Sequence, residues 1–160
     1  MIDRIICGFQ TGADIGAARA AGAAGVPTGG WMPERLWAED GLHPEYAELY
    51  GARELPGARG AEGLRARTDA NVRDADAVLI FGNIHSAGSK CTLAACRCHG
   101  KPWMHVAEGV RPSDVARWLD ESGVRVLMVA GNRESSCRGI GVRVEAFMRR
   151  MFARLRHGEP

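Results

Sequence analysis

The chain has 160 residues, 46% of them hydrophobic and 25% charged, with a net charge of +2. That length and balance fit one globular domain and exclude a disordered polymer, and so small a net charge gives no global attraction to nucleic acid or to a membrane surface. One oddity is left: 21 glycines, where about 11 are expected at ~7%, with no collagen-like period.

In chain order, residues 4–8 (RIICG) are predicted as a strand and residues 12–24 as a helix of small residues. Residues 26–63 hold Pro27, Pro33, Pro44 and Pro56 and a cluster of glycines. They are expected to form a long irregular functional loop with room for a short strand. A helix over 68–74 precedes the strongest strand, AVLIF at 77–81, whose unbroken apolar character marks a doubly covered parallel strand. A helix over 89–99, a strand over 103–106, a helix over 113–122 capped by Ser113 and a strand over 124–130 follow. The last helix, 142–156, places Val144, Phe147, Met148, Met151, Phe152 and Leu155 on one stripe. Strands alternating with helices predict a single Rossmann-like α/β domain over residues 1–160, a mostly parallel sheet with helices on both faces.

Met1-Ile2-Asp3-Arg4 is expected to lead into a short strand rather than to open a signal peptide, and no run of 18 apolar residues occurs. A cytoplasmic protein without a membrane or nucleic-acid partner is expected, its five cysteines reduced.

Three strand-end turns share one chemistry: GFQTGAD at 8–14, NIHSAGSKCT at 83–92 and GNRESS at 131–136. Each offers glycines, hydroxyls or amides and a nearby helix start, the ingredients of an anion site at the carboxyl edge of a parallel sheet. Lys90 and Arg133 would add compensating charge. Known nucleotide fingerprints do not fit. Five residues separate Gly82 from Gly88, Ser89 intervenes before Lys90, and the first turn has no GxGxxG, which disfavours a P-loop ATPase and a nicotinamide dehydrogenase.

GFQTGAD (8–14), GGW-x-P (29–33), AEDG (38–41), RT-x-x-NV-x-DAD (67–76) and VAG-x-RES (129–135) occur in this order. Together they resemble the molybdenum-carrier family, also described as circularly permuted YpsA-type Rossmann proteins. The resemblance runs from about Ile6 to Phe147. It implies a fold related to lysine-decarboxylase-like and DprA-like nucleotide binders, and self-association as a dimer or tetramer. The implied cargo is a small phosphorylated ligand: a nucleotide, a nucleotide-derived signal or a molybdenum cofactor. The implied pocket takes Gln10, Thr11, Gly12 and Asp14 from the first turn, and Gly29, Gly30, Trp31, Glu39 and Asp40 from the long loop. Asn71 joins them from the fourth motif, Gly88, Ser89, Lys90 and Thr92 from the second turn, and Arg133, Glu134 and Ser135 from the third. Departures from the family pattern cluster in the pocket. Phe9 replaces a glycine, Ile15 and Leu36 replace arginines, Ser86-Ala87-Gly88-Ser89 replaces S-G-G-T, Asn132 a proline and Gly141 a tyrosine.

Related phosphoribohydrolases carry a catalytic Glu after the second turn, but no Asp or Glu lies between Asn83 and Glu108. A binder is therefore favoured, the alternative being a nucleotide or ribosyl hydrolase using Asp14 or Glu39. Asp14 is read as a helix-terminal group or a ligand contact, Glu39 and Asp40 as ligand or ribose-hydroxyl contacts, and Glu134 as an ion-pair partner of Arg133 or a functional group. Trp31 is weighed as a stacking platform for a planar base or pterin against packing on its own loop. His85 is a loop histidine that could reach ligand. Cys91, Cys96, Cys98 and His99 lack paired C-x2-C spacing, and a helix scatters them around its axis with only Cys91 and Cys98 on one face, so packed or surface thiols rather than a metal centre are expected.

Overall fold

The computed structural model describes residues 1–157. Strand β1 (Arg4–Ile6) leads through helix α1 (Ala13–Ala23) to β2 (Thr28–Met32). A 3-10 turn (Glu34–Leu36), a small hairpin of β3 (Trp37–Ala38) and β4 (Gly41–Leu42), helix α2 (Tyr46–Tyr50) and β5 (Ala52–Glu54) follow. Then come α3 (Gly60–Asp74), β6 (Ala77–Phe81), α4 (Ala87–His99), β7 (Trp103–Val106), α5 (Pro112–Glu121), β8 (Val126–Gly131) and α6 (Ile140–His157). The main sheet has the order β5-β2-β1-β8-β6-β7 with every pairing parallel.

Alternate residues of the central strands feed two cores, as the period of a strand requires. Ile5, Leu79, Phe81, Leu127 and Val129 pack against α1, α5 and α6, including the stripe of Val144, Met148, Met151 and Phe152. Ile6, Val78, Ile80, Met128 and Ala130 face α3 and α4 through Val72, Ala95 and Cys96. The helix-on-both-faces sandwich of the Rossmann-like class is thus present.

Residues 26–63 depart from the predicted irregular loop. They supply two strands of the main sheet and a third cluster in which Met32, Leu36, Ala38 and Ala52 pack with Cys7, Phe9, Ile15 and Ala18. Gly29-Gly30 hid β2 because glycine has poor strand propensity. Gly30 is needed there, since a Cβ would lie 2.1 Å from the Cys7 carbonyl oxygen. Helix α3 also starts at Gly60 rather than 68. Helix α5 is capped at Arg111, not Ser113, because Pro112 takes the first helical position and the Asp114 carboxylate accepts the Arg111 N–H at 3.3 Å.

The chain moves from β1 outward to β2, and from β6 outward to β7, leaving β8 between the two halves. A crevice opens at the carboxyl ends of strands where such a reversal occurs, and all three glycine-rich turns lie there.

Candidate functional site

The first turn curls around a carboxylate. One Asp14 oxygen accepts N–H bonds from Gly8 (3.1 Å) and Gln10 (3.2 Å), reaching back from the first turn of α1. Phe9, between those donors, takes a left-handed backbone with φ of 52°. That conformation costs a non-glycine residue roughly 1–2 kcal/mol. Its fully buried ring offsets the strain by stacking on Tyr50 at 5.7 Å and packing beside Tyr46.

Asn132 joins the three turns. Its carbonyl oxygen accepts the Ala13 N–H at 3.1 Å, tying the third turn to the first, and its side-chain oxygen accepts the Asn83 N–H at 2.5 Å, tying it to the second. Gly12, at φ 81°, admits this contact, since a Cβ there would sit 2.5 Å from the Asn132 oxygen.

Glu39 fastens the β3–β4 hairpin over the same junction. Its carboxylate accepts the Thr11 hydroxyl, the Ser135 hydroxyl (2.6 Å) and the Ser135 N–H (3.4 Å), with Arg133 at 3.9 Å. Gln10 grips the hairpin backbone from below, donating to the Trp37 carbonyl (3.2 Å) and accepting the Glu39 N–H (3.1 Å). Burial alone would raise the Glu39 carboxyl, but the Ser135 and Thr11 hydrogen bonds and the Arg133 charge bring it below the usual range.

The second turn ends in a capped helix. Ser86 accepts the Ser89 N–H at 3.2 Å, and the Ser89 hydroxyl donates to the Asn83 carbonyl at 3.0 Å. The N–H groups of Ala87 and Gly88, at the helix start, have no acceptor within the helix and carry its positive dipole end.

Between these turns and α3 lies a cavity of about 450 Å³. Gln10 and Asp14 line it from the first turn, Ser86–Ser89, Cys91 and Thr92 from the second, and Gly131–Arg133 and Ser136 from the third. Helix α3 closes it with Leu64, Arg65, Arg67 and Thr68. Of these, Arg67 is the functional candidate that the reading of the turns missed. Its signal was its place in the RT-x-x-NV motif. The Arg67 side chain is 10% exposed, its guanidinium is 3.8 Å from the Asp14 carboxylate, and its Nε has no hydrogen-bond partner. Gly8 makes room for it, since a Cβ there would overlap the guanidinium. Burial pushes the Asp14 carboxyl up to about 6, against the opposing pull of Arg67, the Gln10 and Gly8 N–H groups and Arg133.

The remaining predicted residues are scattered over several places. Thr11, Gly12, Glu39 and Ser135 hold the junction described above without lining the cavity. Glu134 does not pair with Arg133. It accepts N–H bonds from Gly139 and Gly141 and so stabilises the start of α6. Asp40 is exposed and pairs with His43 at 2.7 Å. Gly29, Gly30, Trp31 and Asn71 lie along β2 and α3, away from the cavity lining. Asn71 exchanges two hydrogen bonds with the Trp31 backbone, and the Trp31 ring packs under Arg53 at 4.2 Å while its Nε1–H donates to Asp74. Lys90 is exposed and outside the lining, whereas Arg133 is within it. His85 is exposed, its N–H bonded to the Asn83 side chain.

A family model described as the circularly permutated YpsA SLOG family matches residues 5–152. Among solved structures, the chain is similar to a protein from Syntrophus aciditrophicus SB named "putative molybdenum carrier protein". The two share 31% identity over 94% of each chain, with a TM-score of 0.82. No functionally curated protein matches.

Proposed function

The chain belongs to the circularly permutated YpsA SLOG family, and we propose that it binds a small ligand through a phosphate or similar oxyanion in the cavity between the three turns and α3. One observation carries this reading. A full positive charge, Arg67, is nine-tenths buried on the cavity wall with a single distant counter-ion and an unpartnered Nε. Burying a charge costs several kcal/mol unless it is paired and hydrogen-bonded, and an ion pair 3.8 Å long is weak compensation. An oxyanion would add a second counter-charge to the guanidinium and meet the Ala87 and Gly88 N–H groups at the start of α4. Arg133, at the rim, adds a second cation.

The volume of about 450 Å³ lies within the range of small-molecule sites and accommodates a phosphorylated nucleotide, a nucleotide-derived signal or a phosphate-bearing molybdenum cofactor. The name of the similar Syntrophus protein supports the last of these. Apart from the Asp14 carboxylate and the single Cys91 thiol, the polar lining is guanidinium, amide and hydroxyl groups, and among the described residues no trio of His, Cys, Asp or Glu gathers to hold a metal ion. This set fits molybdenum carried as an oxyanion or within a phosphorylated cofactor. Arg67, Arg133 and the first turn of α4 would hold it.

Mass spectrometry of small molecules that co-purify with the native protein tests the reading, and recovery of an intact phosphorylated compound is expected. Incubation with nucleotides then separates carriage from turnover. Hydrolysed product would replace the binder with a hydrolase, and of the two carboxylates considered, Asp14 and Glu39, only Asp14 lines the cavity.

A further inference from the structure

We propose that an oxyanion enters this cavity together with a proton, and that Asp14 is the residue that takes the proton up. This rests on the cavity being an anion site and adds the means by which its affinity is set.

The geometry makes Asp14 the competitor of any incoming anion. The Asp14 and Arg67 side chains, 9% and 10% exposed, share one wall, and Asp14 is the counter-ion of Arg67 in the free protein. Two anions cannot share one buried cation without mutual repulsion, and protonating the more basic of them relieves it. The groups facing Asp14 leave no other route. Arg67 comes from α3, Arg133 from the third turn and the buried Cys7 thiol from the end of β1, while the turn supplies only the Gly8 and Gln10 N–H donors. Arginine keeps its charge at any working pH, and burial raises the Cys7 thiol well above its ordinary range, so it is already protonated and has no site for another proton.

Asp14 is also poised to change state. Its carboxyl already titrates near 6 in the free protein, and a neighbouring oxyanion moves it further upward. Between about 6 and the raised value, the complex therefore binds more protons than the free protein. By linkage, affinity falls as pH rises from about 6 through the raised value of the complex, by at most about tenfold per pH unit.

The test uses inorganic sulfate, whose charge is fixed across this range. Calorimetric titration of the wild-type protein near neutral pH, in buffers of different ionisation enthalpy, is expected to show net proton uptake on binding. Asp14→Asn keeps an acceptor for the Gly8 and Gln10 N–H groups but has no proton to take. It should bind sulfate more tightly than wild type at pH 8, with no uptake and little pH dependence. Sulfate binding to wild type without proton uptake overturns this inference and leaves the anion site standing. No sulfate binding to either protein at any pH overturns the anion site and the inference with it.

Discussion

The guanidinium of Arg67 lies 3.8 Å from the carboxylate of Asp14, and both side chains are about nine-tenths buried. Residues more than fifty positions apart thus meet at the wall of one cavity, and four predictions follow from this pair and its supports.

The buried cation should matter far more than the exposed one. Arg67→Ala is expected to weaken sulfate or phosphate binding by at least about tenfold, the loss of one charge-assisted hydrogen bond. Lys90→Ala should leave affinity within about twofold, because Lys90 does not line the cavity. Equal losses in both variants would place the anion elsewhere.

Asp14 should make stability depend on pH in the opposite sense to most carboxylates. Its folded-state value, about 6, lies above its ordinary 3.8, so between the two the folded protein binds more protons than the unfolded chain. The stabilisation is complete below 3.8 and lost as pH rises through about 6. Asp14→Asn is therefore expected to gain roughly 1–3 kcal/mol over wild type at pH 8, and to match it near pH 4. Urea denaturation at the two pH values measures this.

Glu39 should behave as a fastener of the β3–β4 hairpin. Glu39→Ala removes the acceptor of Thr11 and Ser135, with an expected cost of about 1–3 kcal/mol. Because its carboxyl is held below the usual range, this contribution is present above the unfolded-state value and lost as pH falls. Faster amide exchange at residues 37–42 in the variant is the local readout.

Asn132→Ala should loosen the second turn while the fold persists. It deletes the 2.5 Å bond to the Asn83 N–H and costs about 1 kcal/mol. Chemical-shift changes confined to residues 82–89, with weaker sulfate binding, are expected. Unchanged affinity would mean that the second turn stands without Asn132.

Elements with one dominant local signal were legible in the sequence. The apolar run at 77–81 and the stripe of α6 became β6 and the buried face of α6 because burial follows from composition at a fixed period. Residues 26–63 were not, because Gly29 and Gly30 carry no side-chain signal and a parallel strand is stabilised by its neighbours. The start of α3 was equally silent, since Gly60-Ala61-Glu62-Gly63 has weak helix propensity and is held in place by packing on Ala58.

For the site, the sequence by itself determined the chemistry of the three turns: glycines, hydroxyls and helix starts at the carboxyl edge of a parallel sheet. Only the tertiary structure decided which residues face the cavity and which hold it together. Thr11, Glu39 and Ser135 became the junction, Lys90 turned outward, and Arg67 came in from α3 to meet Asp14. The reason is physical. Hydrogen-bonding type is a property of each residue, whereas desolvation and pairing depend on what the fold places alongside it. The glycine surplus has the same double origin: Gly12 and Gly30 admit backbones at distances a Cβ would forbid, and Gly8 leaves the space that Arg67 fills.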